Sequence, residues 1–433
     1  METQKKAATS AARVQGGKRQ NGVRRDIWIS ARRTTTRRFA SPAPDAARPI
    51  WHNGGMIDDN LVGARAVGRA LEAIDAPATA IWLRPDALLT GSTARDAIAQ
   101  GLALPLAGGT TVFTRVEVMA RQNDGIATAL APVRRIQYWA NQLDEARRAR
   151  IEAQLARASE QRCHWAGLPL DRPLIMGIVN ATPDSFYRGS GDDAEAAIAL
   201  GQAMHDAGAD ILDIGAESTR PGAAPVSEDE ELRRLEPVVR ALAASGAVLS
   251  VDTRHAKVMA AALAWGARII NDVSALEGEG SLDIVAKTGA PVVIMHMRGE
   301  PATMQREPHY VLASLDVADY LAQRVAACEA AGIPRHRIVV DPGIGFGKTI
   351  EHNLEILARL TLFHALGCGV LIGVSRKSTI GRVSGGAPVE QRLAGSIAGA
   401  LQAVRQGVQI LRVHDVMETK QAVAVWQAIA AGT

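Results

Sequence analysis

Asp341-Pro342-Gly343-Ile344-Gly345-Phe346-Gly347-Lys348 follows directly on the apolar run Ile338-Val339-Val340. A short apolar run closed by Pro and Gly reads as a buried strand, and it delivers a carboxylate to the edge of a sheet. Three alternating glycines after it let backbone approach a ligand closely. The same construction recurs about eight times, at 174–179, 210–214, 248–251, 268–271, 292–297, 338–340, 370–374 and 410–413. Between these runs, 194–207, 228–243, 257–265, 317–331 and 392–406 show helical spacing of apolar residues. Eight strand–helix units predict an α/β protein, a (β/α)8 TIM barrel spanning 170–433, with its site at the carboxyl ends of the strands. An open doubly wound sheet is the alternative.

The rest of the chain has another character. Residues 1–50 hold 12 lysines and arginines against 3 acidic residues, and the remainder holds 37 against 42. The pI of about 9.1 therefore belongs to the tail, and the folded body carries no general nucleic-acid signal. Residues 1–55 read as a disordered basic tail with paired arginines at 24–25, 32–33 and 37–38. Residues 56–165 read as a small α/β accessory region: helices at 61–74, 92–100 and 142–161, strands at 79–83 and 110–118. No apolar run of about 18 residues predicts a membrane span. The three cysteines, Cys163, Cys328 and Cys368, form no CxxC, which fits a reducing cytoplasm.

The residues that follow the predicted strands make a polar rim, which is costly unless its groups meet a ligand or one another. Asp252, Asn271 and Asp341 form a set of acceptors suited to a flat heterocycle with adjacent N–H donors. Asn180, Lys377, Arg412 and His414 suit an anion. Ser227 to Glu230 has the pattern of a capping box. Gly347-Lys348-Thr349 imitates a P-loop, but Pro342 stands where that motif needs glycine. His296 reads as a hydrogen-bonded core histidine, Met297 as an apolar wall and Arg376 as an ion-pair partner. Asp272 and Asp415 read equally as buried network residues and as ligand contacts, and Asp184 equally as a ligand contact and as a cap of the turn after Pro183.

Five motifs in order carry a resemblance. They are 176–186, Glu217-Ser218-Thr219-Arg220-Pro221-Gly222, the Asp341 loop, Ser375-Arg376-Lys377-Ser378 and Arg412-Val413-His414-Asp415. Together they resemble the dihydropteroate synthase family, and residues 90–170 resemble an extension of some bacterial members. The resemblance implies a transferase of folate biosynthesis and a sulfonamide target. It would condense 6-hydroxymethyl-7,8-dihydropterin pyrophosphate with p-aminobenzoate, giving dihydropteroate and pyrophosphate. By motif, Asp252, Asn271, Met297, Asp341, Gly345 and Lys377 would hold the pterin. Asn180, Lys377, Arg412 and His414 would serve the chemistry, with Asn180 beside a pyrophosphate-bound Mg2+. Phe186, Thr219, Arg220, Pro221, Phe346 and Ser378 would build the p-aminobenzoate site.

The family also implies a cytoplasmic homodimer needing neither nucleic acid nor membrane. A pterin-binding methyltransferase domain and a catalytically weak pterin-binding paralogue are the alternatives. Three departures stand out: Ala181 replaces Val, Ala216 replaces Gly, and Tyr187-Arg188 replaces Ser-Asp in the first loop. A cation there would either oppose a developing positive carbon or help hold an anionic substrate group.

Overall fold

The computed structural model describes residues 71, 74–122, 125–181, 192–217, 226–299 and 304–432. The tail, most of the 61–74 helix, Asp184, Phe186, Tyr187, Arg188, Thr219, Arg220 and Pro221 lie outside the described residues.

Eight parallel strands close into a barrel in sequence order. They are β7 (Leu174–Asn180), β8 (Ile211–Gly215), β9 (Leu249–Asp252), β10 (Ile269–Asp272), β11 (Val292–Met295), β12 (Ile338–Asp341), β13 (Gly369–Ile372) and β14 (Ile410–Val413). β14 returns to β7. Every predicted barrel strand is present. The β11 and β13 runs stop two residues early, so His296, Met297, Gly373 and Val374 lie beyond the strand ends.

The predicted helices appear as Asp192–Asp206, Glu228–Ala244, Ala256–Trp265, Ala313–Ala330 and Leu393–Arg405. Sequence periodicity missed Ser281–Thr288 and Ile350–Ala358, which are only two to three turns long, too short to display a stripe. It also missed Ser378–Val383 and the last helix, Val416–Gly432. Only half of the expected capping box forms. The Ser227 hydroxyl accepts the Glu230 N–H at 3.4 Å, while the Glu230 carboxylate turns to Arg233 and Arg234.

Alternation along each strand sorts its side chains. Leu174, Met176, Ile211, Ile269, Val293, Val339, Leu371 and Ile410 pack inside the lower barrel. Their neighbours, among them Ile175, Leu212, Ile270, Ile294, Val340 and Leu411, pack outward under the helices. A hairpin, β5 (His164–Trp165) and β6 (Leu168–Pro169), contributes Trp165 to the inner cluster. Its turn residues Ala166 and Gly167 both have positive φ, 52° and 76°, the geometry of a tight two-residue hairpin.

The accessory region is an antiparallel sheet. β1 (Ile81–Leu89) pairs with β3 (Val112–Gln122), which also pairs with β2 (Leu104–Pro105) and β4 (Gly125–Pro132). The strand expected at 79–83 thus starts later and runs longer, and β4 was not anticipated. Helices cover Gly91–Ala99, Val133–Ala140 and Glu145–Ser159. Buried Gln154 completes the edge of β1, accepting the Leu83 N–H and donating to the Ile81 carbonyl, each at 3.0 Å. The sheet docks on barrel helices: the Trp82 Nε1–H donates to Asp319 at 2.7 Å, and Arg359 reaches Glu117 at 3.0 Å.

Candidate active site

Strand parity builds the site. Positions that continue the inward rows upward are Asp213, Ser250, Asp252, Asn271, Met295, Asp341 and Arg412, so the barrel changes from apolar below to polar above. Register places Asp213 beside Ser250, and Asp252 beside Asn271. Asn180 lies at the end of β7, level with Gly215, which in turn pairs with Asp252.

The Arg412 guanidinium ties these strands together. Its Nε donates to Asp213 at 2.6 Å and its Nη2 to Asp252 at 2.9 Å. Asp213 also accepts from the Ser250 hydroxyl at 2.6 Å and from the Asn271 amide at 3.0 Å. Arg412, assigned from the sequence to the anionic leaving group, thus stands among the pterin-side carboxylates. Sequence reasoning missed Asp213 altogether. The signal was present: a carboxylate inside an apolar strand, Ile211-Leu212-Asp213-Ile214, has to find partners.

Asp341 is buried and its Oδ1 accepts the Gly343 N–H at 2.7 Å. Burial pushes its pKa up, opposed chiefly by Lys377. Lys377 lies on the same side: its ammonium donates to the Ile344 carbonyl and sits 4.8 Å from the Phe346 ring centroid. Burial brings its pKa down to about 8 against the pull of Asp341. The structure therefore brings Asp341, Lys377, Phe346 and Gly345 together, and Ser378 follows at an exposed helix start.

The glycines of the Asp341 loop need correction. Gly343, Gly345 and Gly347 all have positive φ, 69°, 87° and 63°. A Cβ on Gly343 would lie 1.9 Å from the His296 carbonyl, and one on Gly347 would lie 2.3 Å from that of Arg298. Those two serve close packing against the chain after β11, not against a ligand. Only Gly345 looks toward a site residue, with Lys377 Cδ at 3.5 Å from its notional Cβ.

Lys348 is no phosphate ligand. It is buried, with Nζ 2.8 Å from the Gly343 carbonyl, 3.0 Å from that of Phe346 and 2.9 Å from His296 Nδ1. His296 is accordingly a core residue, and Met297 stands half-buried at the rim. Asp272 is a network residue, accepting the Ser274 N–H and hydroxyl and the Leu276 N–H at 2.6–2.9 Å.

At the last two strands, Ser375 Oγ accepts the His414 N–H at 3.1 Å and lies 3.0 Å from His414 Nδ1. Arg376 sits between Ser375 and Lys377 in the left-handed region, at φ 56°, a conformation that costs a non-glycine residue about 1 kcal/mol. Its ion pair with Asp415 (Nε–Oδ2 3.0 Å) and its N–H bond to Ser396 at 2.9 Å hold it there. Arg376 and Asp415 are thus structural partners.

No cluster of three His, Cys, Asp or Glu side chains forms a metal cage among the described residues. Asn180 offers one half-buried amide oxygen. A single neutral oxygen suits Mg2+ held mainly by substrate phosphate and water.

Comparison with known proteins gives the geometry its context. Residues 176–414 match the family described as "Pterin binding enzyme". The dihydropteroate synthase of Escherichia coli K12 is 47% identical over 263 residues, 60% of this chain and 93% of the relative. A Xanthomonas albilineans dihydropteroate synthase with 4-aminobenzoic acid is 49% identical at TM-score 0.58, covering 61% of this chain and 97% of that one. With 7,8-dihydropteroate the same enzyme aligns at 47% identity and TM-score 0.56, covering 61% and 96%. The Yersinia pestis enzyme with a sulfonamide drug is 46% identical at TM-score 0.58, covering 60% and 96%. The relatives are matched over nearly their whole length, while the rest of this chain has no counterpart in them. The chain belongs to the dihydropteroate synthase family of pterin-binding enzymes.

Proposed function

We propose that this chain joins p-aminobenzoate to the methylene carbon of 6-hydroxymethyl-7,8-dihydropterin pyrophosphate, releasing pyrophosphate and 7,8-dihydropteroate. One observation carries the reading: acceptors and cations occupy the same barrel mouth. Asp252 is ion-paired to Arg412 at 2.9 Å, and the Lys377 charge acts on buried Asp341, so one ligand with a donor-rich ring and an anionic arm answers both sets.

In this reading the pterin edge donates to Asp252, Asn271 and Asp341, with Met297 as an apolar wall. Charge-assisted bonds of that kind contribute roughly 1.5–3 kcal/mol each. Lys377, Arg412 and His414 take up charge as the carbon–oxygen bond to pyrophosphate breaks, which lowers the barrier without a covalent enzyme intermediate. The amine of p-aminobenzoate then forms the carbon–nitrogen bond and gives up a proton to solvent. Phe346 and Ser378, with Phe186, Thr219, Arg220 and Pro221, are assigned to the p-aminobenzoate side. Asn180 would hold Mg2+, whose charge offsets that of the diphosphate when bound.

Supplying pterin pyrophosphate, Mg2+ and p-aminobenzoate should give pyrophosphate release coupled one-for-one to dihydropteroate. Release without dihydropteroate, or neither product, would overturn this reading and favour a pterin-binding paralogue.

The chain is further assigned to the cytoplasm and to a homodimer. Exposed Met417, Val425 and Ile429 on one side of the last helix support self-association. Sedimentation at a single monomer mass across micromolar concentrations would remove the dimer.

A further inference from the structure

We infer that Asp213 is the positioning residue of the pterin site, the fixed anchor that holds Arg412 and Asn271 while Asp252 exchanges Arg412 for the ligand. The inference deepens the function proposed above and rests on it. Its ground is an asymmetry between the two carboxylates that share one guanidinium. Asp213 has a side-chain exposure of 0%, Asp252 of 15% and Arg412 of 21%. A ligand entering from the mouth can reach Asp252 but not Asp213. Only one end of Arg412 is therefore open to replacement.

The anchor end is built to stay. Ser250 donates its hydroxyl to Asp213 Oδ1, so that oxygen is held by a register neighbour on β9. The other oxygen receives both Arg412 Nε and Asn271 Nδ2. A carboxylate can only accept here, which decides the amide orientation of Asn271: nitrogen to Asp213, oxygen left over. Asn271 is thereby presented to the pterin as an acceptor, in keeping with its neighbours Asp252 and Asp341.

Breaking a buried pair by removing one partner leaves an uncompensated charge. If Asp213 lost its charge, Asp252 would be the one carboxylate still ion-paired to Arg412, with Asp341 acting from farther off. Arg412 would then hold Asp252 more tightly against the incoming ligand, and the bond that orients the Asn271 amide would weaken from charge-assisted to neutral. Both changes fall on the pterin and neither on p-aminobenzoate.

The test is Asp213→Asn, which keeps the shape and removes the charge. The expected result is a KM for pterin pyrophosphate raised about tenfold or more, with the KM for p-aminobenzoate changed by less than about twofold. The acidic limb of kcat/KM should also move to lower pH. Asp213 raises the Asp252 pKa and Arg412 lowers it, so losing the first and tightening the second act in one direction. A merely structural role would lower thermal stability and kcat without moving that limb. Equal changes in both KM values, or an unmoved limb, would overturn the proposal.

Ser250→Ala, which retains every charge, provides a milder second variant if Asp213→Asn does not fold. It should raise the pterin KM by about threefold, and an unchanged pterin KM would count against the anchor. If the wild-type chain itself shows no turnover, the function proposed above fails. Equilibrium binding of a 6-substituted pterin to wild type and Asp213→Asn then decides the anchor separately: equal affinity overturns it, weaker binding by the variant upholds it.

Discussion

Lys348 Nζ lies 2.9 Å from Nδ1 of His296, and both side chains are buried. Burial drives both pKa values down, with Lys348 adding to the effect on the ring. The Lys348 nitrogen faces the ring nitrogen and three carbonyl acceptors, those of Gly343, Phe346 and His296. These four contacts share at most three N–H hydrogens, the contact with the His296 carbonyl being the longest at 3.3 Å. The pair fastens the Asp341 loop to the chain leaving β11.

Replacing Lys348 with Met should therefore cost about 2–4 kcal/mol of stability, because it strands buried carbonyls and removes a tie between two loops. Chemical denaturation measures the loss. A variant as stable as wild type would show that the cage holds nothing together.

The Asp341 loop makes a sharper demand at Gly343. Gly343→Ala puts a Cβ 1.9 Å from a backbone oxygen at φ 69°, and about 3 kcal/mol or more of destabilisation is expected. Gly246→Ala is the control. It too has positive φ, 84°, but a Cβ there meets nothing within 4 Å, so about 1 kcal/mol is expected. Equal losses in thermal unfolding would mean that backbone strain alone, not the contact with His296, sets the requirement.

Two site groups titrate near neutrality. Burial pushes Asp252 up to about 7, opposed by Arg412 and reinforced by Asp213, Glu231 and Asp272. Burial brings Lys377 down to about 8, opposed by Asp341 and Asp252 and reinforced by Arg412. Asp252 accepts in its ionised form, present above its pKa, and Lys377 carries charge below its own. The profile of kcat/KM for the pterin substrate should rise through about pH 7 and fall above about pH 8. Asp252→Asn should abolish the acidic limb. A limb that persists in that variant belongs to another group.

Sulfonamides resemble p-aminobenzoate in shape and in their aryl amine. Such a drug should raise the KM for p-aminobenzoate and leave kcat unchanged at saturation. Noncompetitive inhibition would place drug and substrate in different sites and would mark the Tyr187-Arg188 loop as having altered the amine pocket.

Some of this was plain along the chain. Parallel strands buried on both faces are continuous apolar runs, so 338–340 or 410–413 needed no tertiary information. A parallel barrel keeps its ligands at strand ends, which made Asp252, Asn271, Asp341 and Arg412 conspicuous as polar residues where such runs stop. Short elements were less legible. Ser281–Thr288 lies between left-handed glycine caps with barely two turns to show a period, and β4 mixes Ala, Thr and Gly without clear alternation.

Sequence alone determined the repeated unit, the family and the residue types gathered at the mouth, because each is written in local runs and motifs. Tertiary structure decided the partners. Asp213 meets Arg412 from 199 positions away, and Lys348 meets His296 from 52. Closure of the barrel sets the last strand two places from β8, so that Arg412 and Asp213 meet inside it, and a buried charge must then be answered by whatever group that closure delivers, which nothing adjacent in the chain records.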